Sequence, residues 1–140
     1  MAKPVPVVKT VLIVEDERLL ARTLKTALTE AGYTTTVSHS AESAERKWSV
    51  DAFDLVILDN RLPKQSGVDL LKTARERGVG SKVILVTAFD SKEVQKAARQ
   101  LGIDAYVRKP YDLDRILTSV SDLIGGPTNG STIQSTKEGG

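Results

Sequence analysis

Three short, unbroken apolar runs punctuate the chain: Val11-Leu12-Ile13-Val14, Leu55-Val56-Ile57-Leu58 and Val83-Ile84-Leu85-Val86. Rich in β-branched residues, they fit central parallel strands covered on both faces. Thr34–Val37 and Ala105–Val107 are weaker and more polar, as edge strands often are. Between these runs the period changes to 3.6. Leu20, Thr23, Leu24, Ala27, Leu28 and Ala31 form one stripe, closed by Gly32. Ala41, Ala44 and Trp48 form a second, and Val68, Leu71 and Ala74 a third that ends at Gly78. Asp90-Ser91-Lys92-Glu93 resembles a capping box ahead of Val94, Ala97, Ala98 and Leu101. Leu113, Ile116, Leu117, Val120 and Ile124 make the last stripe, with Asp112 as its expected N-cap.

Five such βα units predict an α/β fold, a doubly wound five-stranded parallel sheet with helices on both faces. Strong strands one, three and four flanked by weaker two and five suggest the flavodoxin-like order 2-1-3-4-5 with five helices. The domain is expected over residues 9–124. Residues 1–8, with Pro4 and Pro6, read as an extended lead-in, and the Gly-, Ser- and Thr-rich residues 125–140 as a flexible tail or linker.

Composition narrows the function. The 140 residues are 40% hydrophobic and 27% charged, ordinary for a soluble globular domain, and no apolar run is long enough to cross a bilayer. Cytoplasmic residence away from membranes is the expectation. A net charge of +2, with its basic residues spread along helices, gives no argument for direct nucleic-acid binding. The absence of cysteine excludes disulfides and thiolate metal sites. The lone histidine, His39, argues against mechanisms needing two and reads as a solvated loop residue.

In a sheet of this order, ligands bind outside the carboxyl ends of the strands. Strand one ends in Glu15-Asp16, strand three in Asp59, strand four in Thr87 and strand five in Lys109-Pro110. One acid at a strand end could merely cap a helix. Three acids converging on one edge need a cation or a proton to offset their charge. Hard oxygen donors with room for water suit Mg²⁺, whereas zinc is a poor alternative without cysteine and with one distant histidine. Lys109 supplies a positive point charge beside them, and Thr87 a hydroxyl able to donate to an oxyanion.

VLIVED, LVILDNRLPKQSG, VILVTA and GIDAYVRKP, in that order and spacing, resemble the motifs of the receiver domain of two-component response regulators. The resemblance implies that Asp59 is phosphorylated by a histidine kinase or phosphotransfer protein. It further implies that Asp16 ligates Mg²⁺ directly and that Glu15 acts largely through metal-bound water. The backbone carbonyl of Arg61 would be another ligand. Lys109 would contact the phosphoryl group, and Thr87 and Tyr106 would be the switch pair, with small Ala88 leaving room. Arg61 and Phe89 would border the attacking water's path and tune the lifetime of the phosphorylated state. The output would be a downstream effector protein or a missing output domain, with a phosphorylation-dependent homodimer as a further expectation. The surface of the fourth helix, fifth strand and fifth helix would be the signalling face.

Alternatives differ in kind. A pseudo-receiver would keep the fold as an interaction module without phosphorylation. A flavin- or nucleotide-binding relative would need a phosphate-cradling loop after strand one, where Glu15-Asp16-Glu17 would repel phosphate. A hydrolase of the haloacid dehalogenase class would place a DxD motif there, which Glu15-Asp16-Glu17 does not match.

Overall fold

The structure, a computed structural model, describes residues 7–50, 52–89 and 91–129. Five strands, β1 (Thr10–Val14), β2 (Thr34–Ser38), β3 (Leu55–Asp59), β4 (Lys82–Thr87) and β5 (Ala105–Arg108), form one sheet. They run parallel in the order β2-β1-β3-β4-β5, as the sequence predicts. The helices are α1 (Arg18–Glu30), α2 (Ala41–Val50), α3 (Gly67–Glu76), α4 (Lys92–Gln100) and α5 (Leu113–Ile124).

Side chains alternate across a strand, so an unbroken apolar run feeds two cores at once. Leu12, Val14, Val56, Leu58, Val83 and Leu85 meet Ala41, Ala44, Trp48, Leu70, Leu71, Ala74 and Ala98 on one face. Val11, Ile13, Leu55, Ile57, Ile84, Val86 and Val107 meet Leu24, Leu28, Ile116 and Val120 on the other. Trp48 brings its indole N–H to Ser81 Oγ at 3.1 Å, so the buried ring leaves no donor unsatisfied.

Several local expectations are corrected. In the first turn of α1 it is Ala21, not Leu20, that reaches the core, and Ala31 is exposed. The N-cap of α4 is Ser91, whose Oγ accepts from Val94 N at 3.1 Å; Asp90 lies outside the described residues. Asp112 is the N-cap of α5 as expected, although its side chain makes no cap bond. Tail-like composition does not leave residues 125–129 loose. Val7–Val8 pairs antiparallel with Thr128–Asn129, and Lys9 N donates to Pro127 O at 2.8 Å. The Tyr33 hydroxyl donates to Gly125 O at 2.8 Å. Backbone and one distant tyrosine satisfy this segment, which composition cannot foresee. Residues 1–6 and 130–140 lie outside the described residues.

Candidate functional site

The carboxyl edge of the sheet gathers the expected side chains. β3 ends on Asp59, buried beneath the edge, because Leu58 before it is drawn into the core and Asn60 after it is tied to the next strand through Asn60 N and Val86 O, 2.8 Å apart. Asp59 Oδ1 accepts from Arg61 N at 2.9 Å, and Asp59 Oδ2 accepts from Lys109 Nζ at 2.9 Å. The same ammonium donates to Glu15 Oε1 at 2.9 Å, so one lysine spans two buried carboxylates. Glu15 Oε2 accepts from Glu17 N at 3.1 Å, which folds the β1–α1 loop back over its own acid.

Glu15, Asp16 and Asp59 each bring one carboxylate oxygen within 4.8 Å of the others. Asp16 is exposed whereas Glu15 and Asp59 are buried, so the cluster opens to solvent on the Asp16 side. Together with Glu17, Arg61, Ala88 and Lys109 they line a cavity of about 290 Å³. An all-oxygen donor set around an open cavity with room for water fits a Mg²⁺ ion.

Electrostatics follow from burial. Desolvation, with the charge of Asp59 added and the Lys109 bond only partly opposing, pushes the Glu15 carboxyl up to about 7. For Lys109 burial pulls downward, but the contacts with Asp59 and Glu15 outweigh it and carry the ammonium up to about 12. Burial also raises Tyr111 to about 12, with the negative charge of Glu15 next in importance.

Thr87 stands at the end of β4 with its hydroxyl engaged locally: Oγ1 donates to Phe89 O and accepts from Phe89 N, each at 3.0 Å. The Arg61 guanidinium lies 4.7 Å from the centroid of the Phe89 ring. Tyr106, on β5, is half-buried and packs toward the cluster that contains Ala98. Lys109–Pro110 is a cis peptide.

Three supporting residues escape sequence reasoning. His39 is half-buried, not solvated, and its Nδ1–H donates to Glu15 O at 3.0 Å, joining the β2–α2 loop to the β1–α1 loop. Asn60 Oδ1 accepts from Val68 N at 3.0 Å and so fastens the start of α3 to the residue after Asp59. Gly67 lets that helix sit against the loop after Asp59, since a Cβ there would come 2.5 Å from Asp59 O. Only the glycine carried a sequence signal, and its reason lies in the close approach of two backbones.

Comparison with known proteins agrees with this architecture. Residues 11–121 match the family model described as the response regulator receiver domain. The chain is 35% identical over 113 residues to the response regulator protein PmrA of Pseudomonas aeruginosa, covering 81% of this chain and 51% of that protein. It is 39% identical over 115 residues to the sensory transduction protein RegX3 of Mycolicibacterium smegmatis, covering 82% and 50%. The chain thus spans about half the length of these curated relatives. Among solved structures, a CheY-like receiver domain protein from Methanospirillum hungatei superposes with a TM-score of 0.80 at 29% identity, covering 83% of this chain and 93% of that one. The response regulator TrrA of Thermotoga maritima, solved in complex with Mg²⁺ and BeF, gives 0.74 at 31% identity, covering 82% and 98%. With the strand order and the acidic edge in place, the chain belongs to the receiver domain family of two-component response regulators.

Proposed function

We propose that this chain accepts a phosphoryl group on Asp59 and passes the event to a partner-binding surface. The carrying observation is the Asp59 carboxylate held between Lys109 Nζ and Arg61 N, with oxygens of Glu15 and Asp16 within 4.8 Å. A carboxylate oxygen of Asp59 bonds to phosphorus in line as the bond from phosphorus to the donor's phosphoimidazolium nitrogen breaks; the ring keeps the proton on its other nitrogen, and the products are an acyl phosphate and a neutral imidazole. Lys109 neutralises charge on the phosphoryl oxygens. Asp16, Asp59 and the Arg61 carbonyl would hold a Mg²⁺ ion, with Glu15 beside them, and the ion would supply further neutralisation of the phosphoryl charge.

Thr87 and Tyr106 form the switch: the hydroxyl turns to the new phosphoryl oxygens and the aromatic ring takes the vacated space. The phosphodonor is a histidine kinase or phosphotransfer protein. The recipient is a downstream effector or an output domain, reached by way of a phosphorylation-dependent homodimer or directly. The chain itself contacts neither nucleic acid nor membrane, works in the cytoplasm, and catalyses only its own phosphorylation and dephosphorylation. Among the described residues no helix is long and apolar enough to cross a membrane.

Incubation with Mg²⁺ and a small acyl-phosphate donor, followed by intact mass, tests the proposal. A phosphoryl adduct that disappears in Asp59→Asn is expected. Absence of an adduct in the wild type, together with absence of Mg²⁺ binding, would favour the pseudo-receiver. Replacing Arg61 and Phe89 together by alanine is expected to change the dephosphorylation rate, and an unchanged rate would exclude them from the water's path.

A further inference from the structure

The Thr87 hydroxyl has one proton to donate, and it is committed to Phe89 O at 3.0 Å while Phe89 N donates back to the same oxygen. Any bond from this hydroxyl to a phosphoryl oxygen on Asp59 requires the bond to Phe89 O to break. The cost of breaking it depends on how firmly Phe89 is held. Phe89 is 60% exposed, so burial contributes little to its placement. The ring is instead met by the Arg61 guanidinium, 4.7 Å from its centroid, a cation–π geometry. Arg61 is in turn fixed at its backbone, where Arg61 N donates to Asp59 Oδ1 at 2.9 Å. Asp59, Arg61, Phe89 and Thr87 therefore form a chain of contacts from the phosphoacceptor to the switch hydroxyl.

We infer that Phe89 is a positioning residue for the switch: latched by the Arg61 guanidinium, its backbone holds the Thr87 hydroxyl on the β4–α4 turn and opposes its move to the phosphoryl group. The inference deepens the phosphoacceptor reading and rests on it. Phosphorylation has to open the latch, so the Arg61–Phe89 stack biases the unphosphorylated protein toward its resting arrangement. A cation–π contact at an exposed site corresponds to about a two- to fivefold bias in the equilibrium.

Titration with beryllofluoride at saturating Mg²⁺, followed by fluorine NMR, reads this bias directly because the ligand mimics the phosphoryl group without turnover. Phe89→Leu keeps an apolar side chain but removes the π face, and is expected to tighten beryllofluoride binding about two- to fivefold. In a Thr87→Ala background the same substitution should add nothing, because the hydroxyl it releases is gone. It should likewise add nothing in an Arg61→Met background, where the latch is already open. Circular dichroism of each variant verifies the fold. Unchanged or weaker binding in Phe89→Leu would overturn the latch, as would an equal gain in either background. Failure of the wild type to bind beryllofluoride with Mg²⁺ would instead overturn the phosphoacceptor reading, and the latch with it.

Discussion

Glu15 carries the pH dependence of the site. Its carboxyl is raised to about 7, first by burial and then by the charge of Asp59, so near neutrality it is partly protonated. A cation must displace that proton, and Mg²⁺ affinity should therefore rise from about pH 6 to about pH 8. Isothermal titration across this range checks the slope, and Glu15→Gln should flatten it. The sign for metal-free stability is opposite. A raised acid favours the folded state when protonated, so Glu15's contribution is complete below its ordinary value of 4.5 and is lost as pH rises through about 7. Denaturant melts in chelator at pH values either side of 7 should show this decline. Lys109 shifts in the stabilising sense for a base: its contribution is present below 10.5 and disappears only as pH rises through about 12.

The elements hold these residues by their ends. α3 begins on the backbone of the loop that follows Asp59: Gly67 N donates to Asn60 O at 2.8 Å and Val68 N to Asn60 Oδ1 at 3.0 Å. Gly67→Ala would drive a Cβ to 2.5 Å from Asp59 O and 2.8 Å from Asn60 Cα, both backbone atoms that cannot swing aside. Destabilisation of about 1–3 kcal/mol is expected by chemical denaturation, with a slower phosphorylation of Asp59 because the same atoms position its carboxylate. At α4, Ser91→Ala removes the oxygen that accepts from Val94 N and should cost about 1 kcal/mol. Fraying should appear first in amide exchange of the first turn of α4. The sequence signals the cap region here, but it favoured Asp90 because D-x-x-E and S-x-x-x compete within one turn, and only backbone geometry chooses between them.

At the scale of the molecule, the two edges of the sheet have separate duties. The carboxyl edge bears the acids, the lysine and the hydroxyl. The amino edge ties residues 7–9 to residues 125–129 through Lys9 N and Pro127 O, the Val7–Val8 pairing with Thr128–Asn129, and Tyr33 with Gly125. Gly32 makes room for this crossing: its φ is +106°, and a Cβ would come 2.9 Å from Pro127 Cγ. Tyr33→Phe deletes the bond to Gly125 O and should lower stability by about 0.5–1.5 kcal/mol in urea melts. Because the deleted bond lies at the edge opposite Asp59, the phosphorylation rate should not change. A rate that fell in step with stability would show that the two edges are coupled.

How much of this could be read from the sequence divides along physical lines. The strands, the sheet order, the convergence of Glu15, Asp16, Asp59 and Lys109 and the place of Thr87 at the end of its strand were legible because unbroken apolar runs mark buried parallel strands and each run ends on a chemical group. The identity of the residues that hold them was not. His39 against Glu15 O and Phe89 beneath Arg61 are pairings between separate loops, and Asn60 against Val68 N ties a loop to the helix that follows it; composition carries no record of such partners. The chain by itself determined which groups meet at the carboxyl edge. Tertiary structure alone decided that Lys109 bridges two buried carboxylates and that the Thr87 hydroxyl rests on Phe89, because hydrogen-bond partners are chosen by distances of about 3 Å that no residue pattern encodes.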